Sequence, residues 1–411
     1  MRRLLAASGL VLALLSPGAA FAAPERESSF NDISCPADQN DIDEPPQGRL
    51  SYDVLGLTAA HQFATGEGVR IGLIDSGVNP NHASLQGANI EGGADFTDSD
   101  GATTDNFGSG TTYASFLVGS TDGMYPVRGL APDATIVPIK ILDRVPENMD
   151  NAYIEATAGR LAEGINWAID NDIDLVVTAL ALPRGFPSLE QAVARAEAEG
   201  LLIIAPAGEL TSDDDEPETD ADRARFPASY DSVFSVTAVA PDGSSSDAML
   251  RSDQVDVAAP GQNIPGASNA NNNMSCVVAK EYTSSLNAAI NAAGVAALVM
   301  SAHPDEGPDM ITYRLEVTAI RPTAGQYNTA TGWGILNPSG AINFVDDGLA
   351  HGPLSPEYGE QAEPEFQGQD VPAIEPDPQR VTKPLAWVGL AAGSALGLAL
   401  LLVAAGRWRK K

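Results

Sequence analysis

The chain has 411 residues, of which 55 are acidic and 23 basic, for a formal net charge of -32. That charge repels phosphate backbones, so no nucleic-acid partner is expected, and anionic lipid headgroups are a poor surface for the bulk of the chain. The length suits one large α/β core with attachments.

Met1-Arg2-Arg3, the apolar run Leu4 to Leu15 and the small-residue stretch Ala19-Ala20-Phe21-Ala22 read as a secretory signal over residues 1–23, cut near Ala22 or Ala23. The polar, acidic and proline-containing residues 24–50 read as an extension that wraps or dangles. In an exported chain an isolated pair of cysteines more often forms a disulfide than binds metal, so Cys35 and Cys276 are a candidate disulfide pinning the extension to the main domain. Two separate thiols are the alternative.

Val69 to Ile74, which runs into Asp75-Ser76-Gly77, and Ala134 to Leu142, after the turn signal Ala131-Pro132-Asp133, read as buried strands. Between Asn151 and Asp170 the residues Ile154, Leu161, Ile165 and Ile169 recur at helical spacing and predict a helix lying on a sheet. Ile173 to Leu180 predicts the next strand. Ser188 with Gln191 reads as a capping box and Gly200 as a stop, so a helix is expected over 189–199. Leu201 to Ile204, Val233 to Val239 and Val255 to Ala258 read as further strands. Such alternation implies right-handed crossovers and a mostly parallel sheet covered on both faces. The acidic run Asp213-Asp214-Asp215-Glu216, with Glu218, Asp220 and Asp222, reads as a solvated loop. Carboxylates suit calcium, but no spaced ligand loop is evident, so neither a metal nor another cofactor is expected.

Residues 345–384 are rich in Pro, Glu and Gln without hydrophobic periodicity and read as a spacer. Leu385 to Gly406 carries no charge over 22 residues. As a helix it spans about 33 Å, enough for one bilayer core. Trp387 and Trp408 suit the two interfaces, and Arg407, Arg409, Lys410 and Lys411 in the basic tail 407–411 place that tail in the cytoplasm. The expected localisation is therefore the cell membrane, single-pass, with an extracytoplasmic ectodomain.

Asp75-Ser76-Gly77 at a strand end, followed by Val78 and His82, resembles the stretch around the catalytic aspartate of subtilisin-like serine proteases, peptidase S8. Gly129-Leu130-Ala131-Pro132-Asp133-Ala134, Val255-Asp256-Val257-Ala258-Ala259-Pro260-Gly261, Ala293-Gly294-Val295-Ala296-Ala297-Leu298 and Gly332-Trp333-Gly334-Ile335-Leu336-Asn337-Pro338 follow in that family's order and spacing. The whole plan resembles the mycosins, subtilases associated with type VII secretion in actinobacteria. The resemblance implies an α/β, subtilisin-like three-layer fold with a mostly parallel central sheet over residues 51–344, plus one C-terminal transmembrane helix.

Subtilase chemistry needs a nucleophilic serine, a histidine base, an orienting aspartate and an oxyanion donor. By resemblance, Asp75 holds the aspartate position; read on its own, it caps the turn with Ser76 and Gly77. Where the family opens a helix with H-G-T, this chain has Ser109-Gly110-Thr111, so Ser109 occupies the base position. The nucleophile falls eight residues before the glycine matched by Gly294, which gives Leu286. The oxyanion triplet A-G-N reads Ala207-Gly208-Glu209. A serine hydroxyl has no usable basicity near neutral pH, and His61, His82, His303 and His351 all lie outside the helix-opening motif. An ionised Glu209 opposes developing negative charge. No intact triad is therefore expected.

Two rival arrangements are open. Ser284 or Ser285 is a relocated nucleophile, although using Ser284 demands two extra residues in the helix and turns its apolar face by roughly 200°. Alternatively, Asp75 and Glu209 pair as carboxylates that activate water. The leading expectation is a catalytically inactive mycosin-like subtilase that acts as an extracytoplasmic structural component of a type VII secretion membrane complex. The alternatives are a pseudoprotease that binds peptide segments by strand addition and a membrane-anchored serine endopeptidase with a relocated active site.

Overall fold

Arg-Ile-Gly-Leu-Ile-Asp, strand β1 (Arg70–Asp75), is buried on both faces after its first residue, as a central strand of a parallel sheet must be. The computed structural model describes residues 50–120, 127–143, 150–210, 224–267, 275–279, 282–323 and 325–359. The expected signal segment, nearly all of the 24–50 extension with Cys35, the acidic run at 213–222, the later spacer, the membrane span 385–406 and the basic tail lie outside the described residues.

Two short helices, α1 (Leu50–Val54) and α2 (Leu57–Ala60), precede β1; β2 (Asn89–Ile90), β3 (Ala94–Asp95), α3 (Ser109–Val118) and β4 (Thr135–Lys140) follow it. Next come α4 (Asn151–Asp170), β5 (Leu175–Thr178), α5 (Pro187–Glu199), β6 (Leu202–Pro206), β7 (Val233–Val239) and β8 (Val257–Pro260). The antiparallel pair β9 (Ile264–Ala267) and β10 (Ser275–Val278) leads to α6 (Ser285–Ala302), α7 (Pro308–Val317) and α8 (Pro338–Asn343).

The main sheet runs β2-β4-β1-β5-β6-β7-β8, with β3 also paired to β4, and its pairings are parallel. β1 therefore lies between β4, on the side filled first, and β5, on the side reached after α4. The strand order reverses there, and in such sheets the crevice beyond the carboxyl ends at the reversal is the usual ligand position. Asp75, the last residue of β1, stands at that point.

Alternation along β1 distributes the core. Ile71 and Leu73 enter an apolar layer with α3 and α6, while Ile74 enters a second layer with α4 and α5. The other expected strands form with ends shifted by one or two residues, whereas the helix over Asn151–Asp170 and the strand Val233–Val239 form as expected. At α5 the expected capping box does not start the helix: Phe186 is the N-cap and Pro187 opens the first turn. Proline's fixed φ is preorganised for that position, and it sets the start one residue ahead of Ser188. Gly200 ends the helix in the left-handed region, φ 73°, as expected.

Helix α6 is mostly apolar and is buried around nearly its whole circumference. By length and composition it could cross a membrane, but 83% of it is buried inside the domain, which makes it the central helix of the core. The chain divides into a unit that extends to Gln361 and another from Ala362. Residues 345–359, expected in the spacer, fall in the first of these units: the Arg321 guanidinium donates to the His351 carbonyl at 3.1 Å, and the Ser355 hydroxyl donates to Asp346.

Candidate active-site cleft

The carboxyl end of β1 and the start of α3 meet almost in contact. A β-carbon added to Gly110 would stand 2.0 Å from the Gly77 carbonyl oxygen, so only glycine lets the helix begin so close to the strand. Asp75, 3% exposed, is in hydrogen-bond contact with the Ser109 hydroxyl and accepts the Ser76 N–H at 2.7 Å. Ser76 Oγ lies 2.8 Å from Ser109 Oγ, donates to Asp105 Oδ1 at 2.8 Å and accepts the Gly110 N–H at 3.1 Å. Asp105 in turn accepts the Gly108 N–H at 2.6 Å, the Thr111 N–H at 2.8 Å and the Thr111 hydroxyl at 2.6 Å. It therefore serves the orphan amides at the start of α3.

Burial pushes the Asp75 carboxyl up to about 6, against the bonds from Ser109 and Ser76 that favour its anion, and the nearby Asp105 charge adds to the rise. Burial also pushes Asp105 up, opposed by Thr111 and Gly108. Lys140, the register partner of Asp75 on β4, directs its ammonium to the Thr104 carbonyl at 3.0 Å and to Asp143 at 3.2 Å.

The second half of the cleft forms where β6 ends and α6 begins. Gly208 holds φ at 100°, a conformation that favours glycine, and Glu209 follows it half-buried. The Glu209 carboxylate accepts the Ser285 N–H at 2.7 Å and lies 3.3 Å from the Ser285 hydroxyl. A negative side chain at a helix N-terminus satisfies an unpaired amide and complements the helix dipole. Ser284 is the N-cap residue and donates its N–H to the Gly261 carbonyl at 3.0 Å. Leu286 is buried in the apolar layer around α6, and Ser285 is fully buried.

Tyr113 lies one turn beyond Ser109 on α3 and is fully buried. Its hydroxyl has no hydrogen-bond partner among the described residues. Burial pushes the phenol well above its usual range, and Asp75, Tyr282 and Glu209 push it further, so this one side chain feels a carboxyl from each side of the cleft.

The structure thus joins Asp75 to Ser109 and Glu209 to Ser285, with each pair on its own strand and helix. The carboxyl that shares a hydrogen-bonded cluster with Asp75 is Asp105. Sequence reading missed Asp105, and its available signal was an acidic residue just ahead of a helix start. The histidines have other attachments. His61 bonds to the Tyr52 hydroxyl at 2.9 Å and the Leu130 carbonyl at 2.6 Å, and His303 bonds to the Ile342 carbonyl at 2.7 Å. His82 accepts the Ser84 N–H at 3.1 Å in a short turn, and His351 is exposed.

A parallel sheet wrapped in helices, with an Asp-Ser-Gly turn at the strand-order reversal against the start of the buried helix α3, defines a subtilisin-like α/β domain. The Subtilase family pattern matches residues 66–334, and the chain belongs to that family. Subtilisin DY of Bacillus licheniformis is 31% identical over 258 residues, which cover 62% of this chain and 84% of that protein. A solved structure of similar fold is the MycP3 protease from the type VII (ESX-3) secretion system, 26% identical with a TM-score of 0.63, covering 76% of this chain and 92% of that one. Another is a chain of an intact ESX-5 inner membrane complex, 23% identical with a TM-score of 0.63, covering 91% of this chain and 93% of that one.

Proposed function

We propose that this subtilase is a mycosin-like, membrane-anchored structural component of a type VII secretion complex and does not cut peptides. The observation that carries the reading is that a serine hydroxyl, from Ser109, occupies the buried Asp75 at the end of β1. On this reading Asp75, Ser109 and Leu286 are the triad-equivalent positions and Glu209 is the oxyanion-equivalent one. A hydroxyl cannot take a proton from a nucleophile near neutral pH. Leu286 is a hydrocarbon, and Glu209 would set negative charge against a tetrahedral oxyanion. Loss of nucleophile and base together removes about a million-fold in rate.

The likeness to MycP3 and to a chain of the ESX-5 inner membrane complex supports the choice of partner. The apolar segment Leu385 to Gly406, followed by four basic residues in the last five, supports the anchor and a cytoplasmic C-terminus. The test uses the full chain in native membranes. A serine-directed phosphonate is expected to leave it unlabelled, and mild detergent extraction is expected to recover it with the other membrane components of the complex. Labelling that disappears in the Ser284→Ala, Ser285→Ala double variant would overturn the inactive reading. Recovery of an intact complex without this chain would overturn the structural one.

A further inference from the structure

Three contacts link the two carboxyls at the start of α3: Asp75 to Ser109, Ser109 to Ser76, and Ser76 to Asp105. Each is an oxygen–oxygen contact at hydrogen-bonding range and needs a proton between its ends. The two serine hydroxyls supply one proton each. The amides that also reach the cluster, Ser76 N–H on Asp75 and Gly110 N–H on Ser76 Oγ, lie outside these three contacts. With both carboxyls ionised, one contact would oppose lone pair to lone pair in a buried site, where an unmade bond is expensive.

We infer that the chain Asp75–Ser109–Ser76–Asp105 holds one additional proton, carried by Asp75, and that its release loosens the joint between β1 and α3, making the cleft a pH-sensitive latch. The run of donors is then complete: Asp75 donates to Ser109, Ser109 to Ser76, and Ser76 to the Asp105 carboxylate. The opposite direction, with the proton on Asp105, is disfavoured by the donors each acid meets. Asp105 accepts three bonds from Gly108 and Thr111, two of them from amides, which stabilise its anion, whereas Asp75 meets one amide, that of Ser76, besides the Ser109 and Ser76 hydroxyls. The rise of Asp75 to about 6 by burial agrees with this assignment.

The surrounding groups do not neutralise a second anion. From β4, Lys140 is engaged with Thr104 and Asp143. From α3, Tyr113 is a buried phenol held neutral. From β5 the neighbour in register with Ile74 is Thr178, and α4 packs Gly164 toward Ile74. Release of the proton breaks the Asp75 O–H bond and leaves a carboxylate, with the proton passing to solvent. The inference does not depend on the proposed function, because the proton count is the same whether or not the cleft cuts peptides.

A carboxyl whose folded-state pKa is raised contributes stability at low pH that is lost as the pH climbs through the folded value. For a shift from 3.8 to about 6, the unfolding constant should rise about tenfold between pH 5 and pH 8. Urea unfolding of the full chain in detergent, at both pH values, should show that rise in the wild type relative to Asp75→Asn. Asp256, which burial pushes up to about 7, contributes equally to both proteins and cancels in the difference. Equal pH slopes in the two proteins would overturn the inference. Infrared spectroscopy of the wild type provides a second reading should Asp75→Asn fail to fold. A protonated-carboxyl band is expected at pH 5 that fades with a midpoint near 6 and shifts in Ser109→Ala. A band that is absent at pH 5, or unmoved by Ser109→Ala, overturns the inference. Neither measurement depends on phosphonate labelling, so failure of the latch and failure of the inactive reading are separable.

Discussion

The two sides of the cleft place a carboxylate in opposite surroundings. At the end of β1, Asp75 is buried, faces a second acid through two hydroxyls and meets a single amide, so its neutral form is favoured. At the end of β6, Glu209 is half-buried and meets the first amide of α6 at 2.7 Å, a position where the helix dipole favours negative charge. Identical chemistry at the ends of two strands separated by β5 thus gives a proton store on one side and a helix cap on the other. The lesson is that the element a carboxylate faces, more than the carboxylate itself, sets which of its forms the fold supports.

Substitutions on each side can break or sharpen this contrast. The largest effect is expected at Leu286, buried in the layer around α6. Leu286→Ala should cost about 2–5 kcal/mol in urea unfolding, from lost transfer energy and the cavity left behind. Leu286→Ser should cost at least as much, yet on the inactive reading proposed above it remains unlabelled by a serine-directed phosphonate, because that reading puts the Ser109 hydroxyl at the position of the base. Labelling of Leu286→Ser would mean that the two sides do not fail independently. On the other side, Gly110→Ala sets a methyl group against the Gly77 carbonyl and should cost about 1–3 kcal/mol. Because it pushes α3 away from Asp75, it should also flatten the difference in pH slope between the wild type and Asp75→Asn. A Gly110→Ala protein with wild-type stability and slope would separate the latch from the close approach of α3.

Much of the frame was legible because burial leaves a periodic trace. β1 is apolar from Ile71 to Ile74, α4 repeats its apolar residues at helical spacing, and β7 is a buried stretch rich in valine. Asp75, Ser109, Leu286 and Glu209 were reachable through motif order, and the structure brings the first two together and sets the last beside the residue preceding Leu286. The partners were not legible. Asp105 lies in the aperiodic stretch between β3 and α3 and reaches the site only because that loop folds back over Ser76. Tyr113 reads as one more core aromatic until its burial beside two acids is seen. The domain's end was also hidden, since Arg321 secures His351 across 30 residues of sequence with no local signal. Local pattern reports which face is buried, whereas hydrogen-bond partners distant in sequence are fixed only by the assembled sheet.

The smaller effects come from Glu209, and they carry the sharpest test of the contrast. Glu209→Ala removes the acceptor of the Ser285 amide and should cost about 1–2 kcal/mol, the usual worth of a helix cap. Glu209→Gln keeps a side-chain carbonyl for that amide and removes only the charge. Its cost should be about 0.5 kcal/mol, the scale of a partly exposed charge at a helix terminus, and should shrink as salt screens it. Asp75→Asn also removes only a charge, but from a site that favours the neutral form, so at pH 8 it should leave the protein as stable as the wild type or more so. Urea unfolding at pH 8 in low and high salt would read both. Opposite signs at the two positions follow if strand end and helix start set the preferred form of each acid. A shared sign would mean that the net charge of the chain, and not the element facing each acid, controls both.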